Sequence, residues 1–189
     1  KRLAAVTNQA DATIYIFNVE DWNNVTQQVY NLYIPTTGQG GVNTGGVVSA
    51  DALAWDPAGE FLMYDSYNVI TGTLGDTIDY WDISFLSAWN SSTNTYGDGA
   101  IFKLFSTLDP GVNVGNPVFS KNSPFIIAFD YFDVNTNEYL VLGANLETND
   151  VQIVAQNNTL GFPEYSTNDD KVIYIYFASN RDFVRVVNL

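Results

Sequence analysis

The chain has 189 residues, 46% of them hydrophobic and 15% aromatic, which is enough apolar mass for a core and too much for a disordered tail. Its formal charge is −14, and no Lys or Arg falls between Leu3 and Phe102, so both a nucleic-acid backbone and an anionic membrane surface are disfavoured as partners. The absence of Cys and His removes disulfides, thiolate chemistry, histidine-based triads and the commonest zinc ligand, leaving carboxylates, Tyr, Lys or a hard metal such as calcium for any chemistry.

In chain order, the first apolar runs fall at residues 13–18 and 28–33, expected as the two outer strands of a unit whose start is missing. Strands are then expected at 52–55, 61–67, 77–85 and 100–106, and at 117–119, 125–132, 139–145 and 151–155. A last set falls at 164–165, 172–177 and 183–187. Several runs, such as EFLMYD at 60–65 and PFIIAFDYF at 124–132, are apolar on both faces, as strands are when both sides of their sheet are covered. Clusters of Gly, Pro, Asn and Asp separate them, including Asp109-Pro110-Gly111 and residues 157–161, both read as inter-strand loops. No stretch of helical length shows a 3.6-residue period, and no apolar run approaches the roughly 18 residues of a membrane-spanning helix.

The runs repeat. An aromatic residue, a polar turn and an apolar strand recur at Trp55, Phe119 and Tyr165, with spacings of 64 and 46 residues, and Pro117 and Pro163 precede the last two. A period of about 40–50 residues holding four strands is that of a propeller blade. The expected fold is therefore an all-β propeller of four-stranded antiparallel blades. It divides into a partial blade at 1–50, a blade at 51–114 with an insertion at 68–99, a blade at 115–160 and a partial blade at 161–189. Closure takes about 4–8 blades, so an incomplete ring or a fragment is expected.

The turn Trp55-Asp56-Pro57-Ala58-Gly59, with FLMY at 61–64, resembles the W-S-P-D-G turn and following strand of TolB-like (PD40, WD40-like) propeller repeats. Residues 119–123 and 165–169 look like degenerate copies, and the resemblance covers most of residues 50–180. Asp56 stands where the family has Ser, and the second and third copies lack the turn Gly. The resemblance implies a divergent, exported bacterial propeller, periplasmic or extracellular, with any signal upstream of Lys1. Its expected role is non-catalytic binding or scaffolding of a protein or glycan. Two alternatives stand beside it: a propeller that gates or supports a prolyl-oligopeptidase-like hydrolase domain lying outside this stretch, and a structural repeat of a large surface protein.

Candidate ligand-binding residues lie in the insertion: Tyr80, Trp81, Trp89, Asn90 and Tyr96. Aromatic faces beside amides and carboxylates are the means by which carbohydrate is held. The competing reading is that Trp81, Ile83 and Phe85 form one packed strand face and Trp89 closes a long loop. Asp133, Asn135 and Asn137 space oxygen ligands like the start of a calcium loop. Glu138 and Ala144 depart from that pattern, and a hairpin turn fits the six residues better. Asp76, Asp79 and Asp82 are read as solvated rim carboxylates, with Asp79 and Asp82 on opposite strand faces. No catalytic residue is assigned and no cofactor other than calcium is considered. The N-x-S/T triplets at Asn24, Asn90 and Asn157 would mean nothing in a bacterial protein, and chance supplies such matches in an Asn-rich chain.

Overall fold

The computed structural model describes residues 1–7, 12–21, 23–33, 46–71, 74–105 and 108–189. Residue 106, the expected end of a strand, and residues 72–73 of the expected insertion lie outside this set. The first sheet contains β1 (Arg2–Ala5), β2 (Thr13–Asp21) and β3 (Asn24–Asn31). The second begins with β4 (Val47–Trp55), β5 (Phe61–Thr71) and β6 (Thr77–Ser87). A small hairpin of β7 (Trp89–Asn90) and β8 (Thr95–Tyr96) intervenes before β9 (Ile101–Lys103) completes it. The third sheet is β10 (Val112–Phe119), β11 (Ile126–Asp133), β12 (Glu138–Asn145) and β13 (Asp150–Asn157). The fourth is β14 (Glu164–Tyr165), β15 (Lys171–Ala178) and β16 (Arg181–Asn188). Every pairing is antiparallel between sequence neighbours in the sheet, and no helix occurs among the described residues.

The sheets stack face to face, and a separate apolar core fills each of the three gaps. Ile14, Ile16 and Leu32 of the first sheet meet Leu62, Tyr64 and Leu86 of the second. Met63 and Ile83 meet Val114, Phe119 and Phe129 of the third. Ala128 and Val141 meet Tyr165, Val172 and Tyr174 of the fourth. This explains why β5 is apolar on both faces: Leu62, Met63 and Tyr64 are all 0% exposed because consecutive residues enter different cores. The repeated aromatic packs between neighbours as expected, Phe119 lying 6.1 Å from Phe85 of the preceding sheet. Among the described residues the sheets follow one another without closing a ring.

The turn after each repeated aromatic has one design. Asp56 accepts the N–H groups of Ala58, Glu60 and Phe61 at 3.1, 2.7 and 2.8 Å, and is buried while doing so. Its counterpart Ser120 accepts the Ser123 N–H at 3.1 Å, and Ser166 accepts that of Lys171 at 3.1 Å. The position of Gly59, at φ +68°, is taken in the third copy by Asp169 at φ +58°. That carboxylate reaches back to the preceding sheet, accepting the N–H groups of Lys121 and Asn122 at 2.7 and 2.9 Å. The lost glycine is thus replaced by an inter-sheet clasp.

The structure differs from the sequence reading in four places. The first sheet holds three strands, because the short β1 pairs with β2. β4 and β10 begin at Val47 and Val112, five residues ahead of the expected strands. Trp89 does not close a long loop but opens the β7–β8 hairpin, and β5 and β6 run past the expected ends at residues 67 and 85. Asp82 is not a solvated rim carboxylate: it is 3% exposed, ion-paired with Lys103, and accepts bonds from Ser66 and Asn68 at 2.8 and 3.1 Å. A carboxylate in mid-strand reads as solvent-facing in the sequence, yet here a lysine 21 residues on supplies the counter-charge.

Candidate functional site: a cleft between the second and third sheets

β4 and β10, the first strands of their sheets, each carry a register shift, at Ala50/Leu53 and at Gly115/Val118. Such bulges free backbone N–H groups from the ladder. Two buried carboxylates take them up. Asp65 of β5, 4% exposed, accepts the N–H of Ala52 from its own sheet at 2.8 Å and that of Asn116 from the next at 2.7 Å. Asp130 of β11, 2% exposed, accepts Asn116 Nδ2 at 2.9 Å and the N–H groups of Gly161 and Phe162, ahead of the fourth sheet, at 2.8 and 2.9 Å. The same staple therefore joins two successive pairs of sheets.

Both staples need a glycine beside them. A Cβ on Gly115 would stand 2.9 Å from Asp65 Oδ2, and one on Gly161 would stand 3.1 Å from Asp130 Oδ1 and 2.9 Å from Val141 Cγ2. The next residues, Asn116 and Phe162, have φ of +49° and +46°, and each precedes a proline. Asn tolerates this region, whereas a bulky aromatic there is strained by roughly 1–3 kcal/mol and must be held by its surroundings. For Phe162 the holding group is Asp130, which leaves the ring 54% exposed at the mouth of a cleft.

The cleft measures about 480 Å³ and lies between the second and third sheets. Tyr67 and Trp81 form one wall, their ring centroids 5.5 Å apart and tilted by 40°. Phe132 and Phe162 face them, Phe132 being stacked on Tyr139 at 4.3 Å. Asp65 and Asp130 line the cleft from below, and the exposed Asp51 and Asp79 stand at its rim. Asn113 binds Trp81 to the next sheet, its Oδ1 accepting the Trp81 backbone N–H at 3.0 Å. Among the described residues, no Lys or Arg lines the cleft.

The electrostatics follow from this one-sided composition. Burial pushes the Asp65 carboxyl up to about 6, with the charge of Asp51 adding to the rise and the bonds from Asn116 and Ala52 opposing it. Burial also raises Asp130 above the ordinary carboxylate range, against the bonds from Phe162, Gly161 and Asn116. The Tyr67 hydroxyl donates to Asp79 Oδ2 at 3.1 Å, and this bond holds its pKa above the usual phenol value.

The residues singled out in the sequence lie in four separate places. Trp81 lines the cleft. Tyr80, its neighbour on β6, points to the other face, where Lys103 Nζ stands 5.8 Å from its ring. Trp89 and Tyr96 pack edge to face at 5.4 Å in the β7–β8 hairpin, at the far end of the second sheet. There Arg2 covers Trp89 at 4.7 Å and Tyr96 Oη meets Thr26 Oγ1 at 2.9 Å, which locks the hairpin to the first sheet. The exposed Asn90 closes the same hairpin by accepting the Ser92 and Thr93 N–H groups at 3.0 and 3.2 Å. Asp133, Asn135 and Asn137 sit in the β11–β12 turn. There Asp133 accepts the Asn135 N–H at 2.8 Å and the Thr136 hydroxyl at 2.9 Å, bonds that lower its pKa, while Asn135 donates to the Pro110 carbonyl at 2.8 Å. Among the described residues, no group of three or more acidic, His or Cys side chains is placed to hold a metal ion.

Asp65, Asp130, Tyr67, Phe132 and Phe162 were not singled out in the sequence. A signal for them exists. Gly-x-Pro occurs at 115–117 and again 46 residues later at 161–163, and an Asp ends the apolar run in both Tyr64-Asp65 and Phe129-Asp130.

No protein-family model matches the chain, and no curated protein matches it. Solved structures do. A puromycin-hydrolysing peptidase of Mycobacterium tuberculosis aligns with a TM-score of 0.58 at 12% identity, over 100% of this chain and 29% of its own. An oligogalacturonate lyase solved with manganese gives 0.54 at 13%, over 95% and 46%. A TolB-type protein of Agrobacterium tumefaciens gives 0.52 at 12%, over 97% and 62%. At such identities what is shared is the fold. The chain is a β-propeller segment, an incomplete ring of consecutive antiparallel blades. It shares the propeller fold of the TolB-type protein, and it spans less than two thirds of each of these three proteins.

Proposed function

We propose that this propeller segment is a non-catalytic binding module that takes its ligand in the cleft between the second and third sheets. The observation that carries the reading is the pairing of open aromatic walls with committed carboxylates. Tyr67, Trp81, Phe132 and Phe162 offer ring surface to a ligand. Asp65 and Asp130 have the raised pKa of a general acid, but their oxygens hold backbone N–H groups of two sheets. Committed in this way, the oxygens serve to hold sheets together rather than to meet a substrate. The partner is a protein or a glycan, and the TolB-like resemblance favours an exported, periplasmic or extracellular bacterial setting. Pull-down and glycan-array screening with the chain and its Trp81→Ala and Phe132→Ala variants tests this. Capture that both variants lose is expected; capture that neither affects would remove the cleft from the account.

A second reading is a propeller that supports a hydrolase domain outside this stretch. The alignment with the mycobacterial peptidase favours it, since this chain matches 29% of that enzyme. A G-x-S-x-G motif in the full reading frame would support it, and its absence there would remove it.

A further inference from the structure

The walls and the polar groups of the cleft differ in what they offer a ligand, and that difference selects a chemistry. Resting on the binding role above, we propose that the cleft receives a basic side chain, arginine before lysine, presented by a protein partner.

The first argument is the balance of donors and acceptors. A neutral sugar brings hydroxyls that both give and take hydrogen bonds, so a sugar site needs donors as well as acceptors. The polar side-chain donors near this cleft are mostly turned to groups of the chain itself. Asn113 Nδ2 donates to the Gly111 carbonyl at 3.2 Å, Asn116 Nδ2 to Asp130, and the Tyr67 hydroxyl to Asp79. The backbone N–H of Trp81 is bonded to Asn113, which leaves the indole N–H as a lone ring donor. What stays open at the rim is acceptor only: the exposed carboxylate of Asp51 and the second oxygen of Asp79. A guanidinium has five donors in a planar fork and no acceptor, and an ammonium has three.

The second argument is the rings. Trp and Tyr faces attract cations, most strongly where water is excluded. The Tyr67–Trp81 pair stands on the same strand pair as Asp79, so a cation against the indole meets a carboxylate within the same wall. Arginine stacks on such faces while its fork engages a carboxylate, which a lysine ammonium does less well. No basic residue lines the cleft to compete, and the formal charge of −14 steers cations toward the chain as a whole.

The third argument is size and surroundings. A volume of about 480 Å³ exceeds what one cationic group fills. Exposed apolar side chains at the mouth, Val134, Leu160 and Phe162, offer surface that the backbone and neighbouring residues of a peptide would cover.

The experiment titrates the full chain, in about 150 mM salt so that diffuse charge is screened, with blocked peptides that differ at one central residue: arginine, lysine or citrulline, the neutral isostere of arginine. A neutral oligosaccharide is a fourth probe. Binding is read by calorimetry and by tryptophan fluorescence. The arginine peptide is expected to saturate a single site, the lysine peptide to bind several-fold more weakly, and the citrulline peptide not to bind. Trp81→Ala and the exposed Asp79→Asn, which retains the fold if Trp81→Ala does not, are each expected to weaken binding roughly tenfold. Asp182→Asn, on the exposed outer strand β16, is expected to leave it unchanged. Equal binding of the citrulline peptide, or binding indifferent to both cleft variants, overturns the proposal. Saturation of the cleft by the oligosaccharide alone overturns the cationic ligand and leaves the binding role standing; no binding of any probe counts against both.

Discussion

Asp65 has two duties that conflict: its charge is costly where it is buried, yet two backbone N–H groups in different sheets depend on it. Removing it strands both donors, and Asp65→Ala is expected to lose about 2–4 kcal/mol in a denaturant titration. Its pKa gives a second, independent signature. A carboxyl raised from 3.8 to about 6 on folding contributes stability that is fully present below about 3.8 and is lost as the pH rises through 6. Asp130 acts in the same direction. Asp98, Asp133 and Asp170 act oppositely, because bonds from Ala100, Asn135 and Lys171 depress them. The stability they give is present above about 3.8 and is lost as the pH falls through their lowered values. With no histidine in the chain, ordinary side chains are silent between pH 5 and 8. Thermal melts are therefore expected to show Tm rising as the pH falls from 7.5 to about 5, then dropping below about 4. Asp65→Asn is expected to flatten the rise. A Tm that falls steadily from pH 7.5 downward would contradict the staple as described.

At the scale of the element, legibility followed the apolar runs. β5 and β11 were readable because their side chains enter cores on both faces, and β15 because it is apolar along its length although only Val172, Tyr174 and Tyr176 face a core. β1 was not, because Arg-Leu-Ala-Ala is too short to show a period. The early start of β10 was hidden because Asn113, Gly115 and Asn116 read as turn residues, although a bulged strand uses all three. The cleft was less legible than the fold. Trp81 was found through the aromatic insertion, but Asp65 and Asp130 become partners only through Asn116, 51 residues from one and 14 from the other. Two substitutions test these elements. Gly115→Ala sets a methyl against Asp65 Oδ2 and is expected to cost about 1–2 kcal/mol. Asp169→Gly relieves the positive φ but loses the clasp on Lys121 and Asn122, so calorimetry is expected to show a net loss of about 1 kcal/mol. A stabilised Asp169→Gly variant would mean that the turn needs only its backbone geometry.

In the whole molecule, stability resides between sheets as much as within them, since each sheet meets its neighbour through an apolar core and the last three sheets are also joined by carboxylate bonds. Phe85 and Phe119 face each other across one gap, and a double-mutant cycle between them is expected to give a coupling of about 0.5–1.5 kcal/mol. The same gap opens toward one side as the aromatic cleft, so the docking of consecutive sheets and the binding surface share one cause. The tryptophans report on this directly, because Trp81 lines the cleft while Trp55 and Trp89 pack toward the first sheet. The decisive measurement is an NMR titration of the indole N–H signals with a ligand recovered by the screens. A shift confined to Trp81 is the predicted result; shifts at Trp55 or Trp89 with Trp81 unmoved would contradict the assignment of the cleft as the binding site.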